Sequence, residues 1–117
     1  MSEAENAVDR EIVEYCRLQH WPTTRHHAYN IAGRRATKGQ ESWPDRIVTI
    51  PGIGNVLVEV KQPGAKPSKG QRDRIAEIEA AGGMVIVADG LDVFIHEVDK
   101  LKTGRKLDYR TIRRGFS

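Results

Sequence analysis

At 117 residues the chain has the length of one ordinary domain, enough to bury a core without disulfides or a structural metal. Its single cysteine, Cys16, excludes an internal disulfide framework, no apolar run reaches the length of a membrane span, and the polar, acidic start is unlike a signal peptide, so a soluble cytoplasmic protein is expected. The formal charge of +3 and pI near 9.2 are mild, but the first fourteen residues hold five acids (Glu3, Glu5, Asp9, Glu11, Glu14) and the last sixteen hold six bases.

Residues 2–19 carry Val8, Ile12, Tyr15 and Cys16 at helical spacing, and Ser2 with Glu5 reads as an S-x-x-E capping box. Trp21-Pro22 ends that helix. Residues 23–43 are basic and poor in apolar side chains, and read as a long loop with a short strand or helical turn around Ala28 to Ala32. Arg46 to Ile50 and Val56 to Lys61 are rich in Val and Ile, with turn residues Pro51-Gly52-Ile53-Gly54-Asn55 between them, so they form a β-hairpin. A helix follows from about Lys69 to Ala81, opened by the S-x-x-Q capping box of Ser68 and Gln71 and stopped by Gly82-Gly83. Met84 to Ala88 is a buried-type strand. Leu91, Phe94, Ile95, Val98 and Leu101 then make a helical stripe that Gly104 ends. The step from strand to helix to strand is a βαβ unit, which makes the fold α/β with a mixed sheet, a hairpin and flanking helices.

The chemistry concentrates in Pro44-Asp45-Arg46 and Val58-Glu59-Val60-Lys61. A turn centred on Ile53 sets Asp45 opposite Lys61 and Ile47 opposite Glu59. Side chains alternate along a strand, and directly paired residues point the same way. Asp45, Glu59 and Lys61 then converge at one end of one sheet face, an alignment that a one-residue slip would undo. An E-x-K on a strand is, taken alone, an ordinary salt bridge; Pro-Asp opening the paired strand points instead to phosphodiester hydrolysis. Hard cations such as Mg²⁺ or Mn²⁺ favour oxygen donors, here Asp45, Glu59 and the main-chain carbonyl of Val60. Lys61 is placed to orient water or to stabilise charge on the phosphate.

Gln71 carries two readings, the cap of its own helix and an amide near the metal or scissile phosphate. Glu5 carries two as well, a capping residue and a carboxylate on the core-facing stripe that needs a partner. Arg25, Arg34, Arg35 and Lys38 are candidates for DNA-backbone contacts, or solvated loop charges. His20, His26, His27 and His96 lack zinc spacing, and Trp21, Trp43 and Tyr29 read as packing residues.

In this order these residues resemble the VRR-NUC family, a branch of the PD-(D/E)xK nuclease superfamily. The shared pattern is an N-terminal helix with Glu5 (Glu3 competing), a basic loop, Pro44-Asp45, Glu59-Val60-Lys61, Gly64, Gln71, and Gly83 before Met84-Val85-Ile86-Val87, over roughly residues 3 to 100. The resemblance implies a PD-(D/E)xK nuclease-like sheet and divalent-metal-dependent endonucleolytic cleavage of branched DNA. It implies a single domain over 1–117 with a basic extension at 102–117, like stand-alone viral and bacterial members, which look like homodimers acting on four-way junctions. A non-catalytic nucleic-acid-binding domain and a sequence-specific restriction-type endonuclease remain the alternatives.

Overall fold

The computed structural model describes residues 1–26 and 43–116, with side chains as far as Gly104. Its elements are α1 (Glu3–Gln19), β1 (Thr23–Arg25), β2 (Arg46–Ile50), β3 (Gly54–Val60), α2 (Lys69–Ala80), β4 (Val85–Ala88) and α3 (Leu91–Phe116). The four strands form one sheet in the order β1-β2-β3-β4, antiparallel up to β3 and parallel between β3 and β4. The expected α/β architecture, hairpin and βαβ unit are all present.

Three details differ from the sequence expectation. First, β1 adds an edge strand to β2, where the sequence reads as loop; three residues are too few for a periodic signal. The expected strand or turn around Ala28 to Ala32 lies outside the described residues. Second, the hairpin turn is centred on Gly52 rather than Ile53. Ile53 N–H donates to the Ile50 carbonyl at 3.0 Å and Gly52 has φ 81°, the conformation that Pro-Gly favours at the centre of a type II turn. Arg46 therefore pairs with Val58 and Ile47 with Leu57, so Asp45 faces the position of Glu59 rather than Lys61. This is a shift of two residues, which preserves the face of every side chain. Third, Gly104 does not end the last helix, which continues to Phe116. A single helical glycine costs only about 1 kcal/mol relative to Ala.

One sheet face carries the core. Val48 and Ile50 of β2, Val56, Val58 and Val60 of β3, and Ile86 and Ala88 of β4 pack with Val8, Ile12 and Cys16 of α1 and with Phe94 and Val98 of α3. Burial pushes the Cys16 thiol up to about 11, the state of an inert packing cysteine rather than a nucleophile. The other face carries Leu57 and Glu59 and lies beneath α2, whose two-sided Ser68–Gln71 capping box forms as expected.

Within the apolar interface sits one buried ion pair. Arg46 on the core face donates Nε to Asp9 Oδ1 at 2.8 Å and Nη2 to Asp9 Oδ2 at 2.9 Å. Asp9 and Arg46 are only 5% and 7% exposed, which is what makes the pair costly to break. Arg25 adds a longer contact to Asp9 at 3.3 Å, and Thr23 Oγ1 accepts from Arg46 Nη1 at 3.2 Å. Removing one partner strands the other charge, so Asp9→Ala should lower unfolding free energy by roughly 3–5 kcal/mol. Urea denaturation checks this, and Glu14→Ala, which removes the exposed Glu14–Arg17 pair, should leave the midpoint nearly unmoved.

Candidate active site

Asp45 precedes β2 and turns its side chain to the face opposite the core. Its Oδ2 accepts the Val60 N–H at 2.8 Å, so the carboxylate closes the end of the hairpin ladder and is fixed beside β3. Glu59 projects onto the same face and is 1% exposed. Its Oε1 accepts from Gln71 Nε2 at 3.0 Å and lies 3.7 Å from Lys61 Nζ. Its Oε2 is buried with no hydrogen-bond partner. A buried carboxylate oxygen without a donor is costly; a proton shared with Asp45 relieves that cost, and a bound cation in its place would do the same.

Gln71 closes the cap of its helix and at the same time contacts Glu59. Its Oε1 accepts the Ser68 N–H at 2.9 Å, closing the capping box, and this leaves the amide nitrogen to face Glu59. The loop before α2 is tied down by Asp89, which accepts the Gly64 N–H at 2.9 Å. In the sequence Asp89-Gly90 reads as a turn and nothing more.

Glu5 also reaches this region. Ser2 Oγ accepts the Glu5 N–H at 3.1 Å, but the reciprocal half of the expected capping box is not formed. The Glu5 carboxylate is instead near enough to raise the pKa of both Asp45 and Glu59. Glu3 is exposed and exerts no such effect. Glu5, Asp45, Glu59, Lys61 and Gln71 are therefore gathered at one end of the sheet.

Arg25 is nearly half exposed but is drawn toward Asp9 and Asn6. Arg34, Arg35 and Lys38 lie outside the described residues. Among the described residues no three His, Cys, Asp or Glu side chains form a ready metal cage, and the acidic oxygens brought together here are those of Asp45 and Glu59. That set is all oxygen and fits a hard divalent cation better than zinc.

Burial is the largest cause that raises the Asp45 pKa, opposed by the Val60 N–H. Burial first, and then the charge of Asp45, push Glu59 up to about 8, while Lys61 works against the rise. With only the chain's own groups facing it, Glu59 keeps its proton at neutral pH. A carboxyl whose pKa rises on folding stabilises the native state fully below its ordinary value of 4.5, and that contribution is lost as pH rises through about 8. In EDTA, the melting temperature should therefore fall between about pH 5 and pH 8. Glu59→Gln, which cannot ionise, should flatten that fall; an unchanged slope would mean that Glu59 does not titrate in this window.

No family model matches the chain. A protein of Acyrthosiphon pisum secondary endosymbiont phage 1, named "Putative nuclease p44", is 38% identical over 63 residues, covering 54% of this chain and 68% of that protein. A solved structure titled "VRR_NUC domain protein" superposes with a TM-score of 0.54 at 16% identity, covering 86% of this chain and 89% of the other. Both agree with the resemblance read from Pro44-Asp45, Glu59-Val60-Lys61 and Gln71. The chain belongs to the nuclease family of the phage p44 protein and has the VRR-NUC fold.

Proposed function

We propose that the chain is a divalent-metal-dependent endodeoxyribonuclease that cuts phosphodiester bonds in branched DNA, four-way junctions included, and acts as a homodimer. The observation that carries the reading is the carboxylate pair, buried beside Lys61 and Gln71, with one Glu59 oxygen left without a donor. Asp45, Glu59 and the Val60 carbonyl would hold Mg²⁺ or Mn²⁺. Such a cation supplies Lewis acidity toward a phosphoryl oxygen.

The chain's own residues do the rest. Val60 N–H fixes Asp45, and Gln71 fixes Glu59, so both carboxylates meet a ligand without reorganising. Lys61, at 3.7 Å from Glu59, is placed to stabilise charge on the phosphate or to hold the attacking water. Glu5 adds negative charge on the α1 side, which favours a cation and disfavours an uncompensated phosphate. Arg25, Arg34, Arg35 and Lys38 are assigned to the DNA backbone, and residues 102–117 to a basic extension of one nuclease domain.

The homodimer has physical support in α1. A groove along this helix is lined by Ala7, Tyr15, Leu18 and Leu91 with Glu11 and Glu14, and Leu18 is 60% exposed. Among the residues whose side chains are described, α3 gives Phe94 and Val98 to the core, with Leu91 and Leu101 packed against it. Paired nicks in a two-fold junction require two sites in fixed relation, which two-fold assembly supplies.

The test is cleavage of labelled linear duplex, flap and four-way junctions with and without Mg²⁺ or Mn²⁺, beside light scattering at micromolar concentration. Metal-dependent cutting of the branched substrates and twice the chain mass are expected. Asp45→Ala, Glu59→Ala and Lys61→Ala should each lower turnover by about 100-fold or more with the fold intact. Gln71→Ala should lower it beyond anything explained by losing a helix cap, worth about 1 kcal/mol of stability. Near-wild-type turnover in a folded variant removes that residue's role. Binding without cleavage under either metal makes the protein a binding domain, discrete fragments from linear duplex make it restriction-type, and a monomer that nicks junctions symmetrically removes the dimer.

A further inference from the structure

Beside the carboxylates stands a group of aromatic and cationic side chains that the cleavage chemistry does not use. Trp43 lies two residues before Asp45 and is 37% exposed, which separates it from Trp21, 7% exposed and packed edge-on against Tyr15. Trp43 is not part of the hydrophobic core, contrary to the packing role expected from sequence. The Arg74 guanidinium carbon lies 5.1 Å from its ring centroid, and the His26 ring is 6.4 Å away, tilted by 42°.

Each member is tied to the candidate site. Trp43 is joined to Asp45 through Pro44, whose fixed φ limits the freedom of the link. His26 N–H donates to the Asp45 carbonyl at 2.7 Å. Arg74 is one turn beyond Gln71 on α2, about 4.5 Å along the axis. Gln71 itself touches Glu59. A cation over one side of an indole holds the ring in place and makes its surroundings electropositive. Arg74 also pairs with Glu77 at 3.4 Å, so its guanidinium is held from both directions.

The chemistry of this cluster is that of a single-strand nucleic-acid platform, in which an exposed aromatic face stacks on a base and nearby cations follow the backbone. In a linear duplex both faces of each internal base are covered by neighbours, and the indole has nothing to stack on. At a flap or splayed branch a base is free. We propose that Trp43, held by Arg74 and His26, is a stacking site for an unpaired base next to the phosphate cut at Asp45 and Glu59, and so favours a flap or splayed branch over linear duplex. This rests on the nuclease reading for the position of that phosphate.

The experiment is a binding titration in EDTA, where nothing is cut, comparing a single-strand flap with a linear duplex of the same sequence. Trp43→Ala should weaken flap binding by about tenfold and leave duplex binding within about twofold. Trp43→Phe, which keeps an aromatic face, should recover most of the loss. In the wild-type protein the flap should quench emission from the exposed indole and the linear duplex should not, a readout that does not depend on any variant folding. Equal losses on both DNAs, no loss on the flap, a Trp43→Phe as weak as Trp43→Ala, or no quenching by the flap would each overturn the proposal. Failure of the nuclease reading shows itself separately, as wild-type protein that binds the flap through Trp43 but does not cut it when Mg²⁺ or Mn²⁺ is added.

Discussion

The position of the candidate site depends on the buried pair between Asp9 and Arg46. Arg46 opens β2 immediately after Asp45, and Asp9 lies one helical turn after Glu5. Their two-bond clamp joins α1 to the hairpin at one defined place. Apolar contacts alone would hold α1 on the sheet while tolerating small slides, since hydrophobic burial is not directional. A planar guanidinium meeting a carboxylate through two parallel bonds does not tolerate them. A buried ion pair is not in itself a large net source of stability, but it penalises every arrangement that leaves either charge unpaired. Here that penalty brings Glu5, on a separate helix, to the same end of the sheet as Asp45 and Glu59.

At that end the fold works against itself electrostatically. Asp45 and Glu59 are both buried, both have raised pKa values, and both feel Glu5. A structural role would be served better by an apolar side chain than by a carboxyl with a donorless oxygen. The surroundings nevertheless hold these groups in place: Val60 N–H on Asp45, Gln71 on Glu59, and Ser68 behind Gln71. Such strain, kept in position by neighbours, is characteristic of groups that meet a cation or a reacting phosphate.

Much of this was legible in the sequence because strand alternation depends only on parity. A turn centred on Ile53 sets the hairpin register two residues from the observed one, yet Asp45, Glu59 and Lys61 still share a face, since an even shift preserves it. A turn centred on Gly52 could have been recognised from Pro51-Gly52, the type II signature. Gln71 reads as a cap, and the cap forms; because a side-chain amide has two ends, its nitrogen is left to contact Glu59. What escaped was set by tertiary contact. In the sequence Asp9 is one acid among five near the start of the chain, and its pairing with Arg46 spans 37 positions and leaves no local signal. Trp43 reads as a packing residue because composition cannot distinguish a buried indole from a presented one. Gly104 reads as the end of α3, yet the helix accommodates it.

The central claim is that Asp45 and Glu59 form a divalent-cation site before any DNA arrives. Calorimetric titration of Mn²⁺ into the DNA-free protein tests it most directly, independently of cleavage. The account predicts one site per chain and proton release near neutral pH, because Glu59 must give up its proton to bind. It also predicts loss of that site in the Asp45→Asn, Glu59→Gln double variant while the fold is retained. Stoichiometric Mn²⁺ binding that survives in the folded double variant would contradict it.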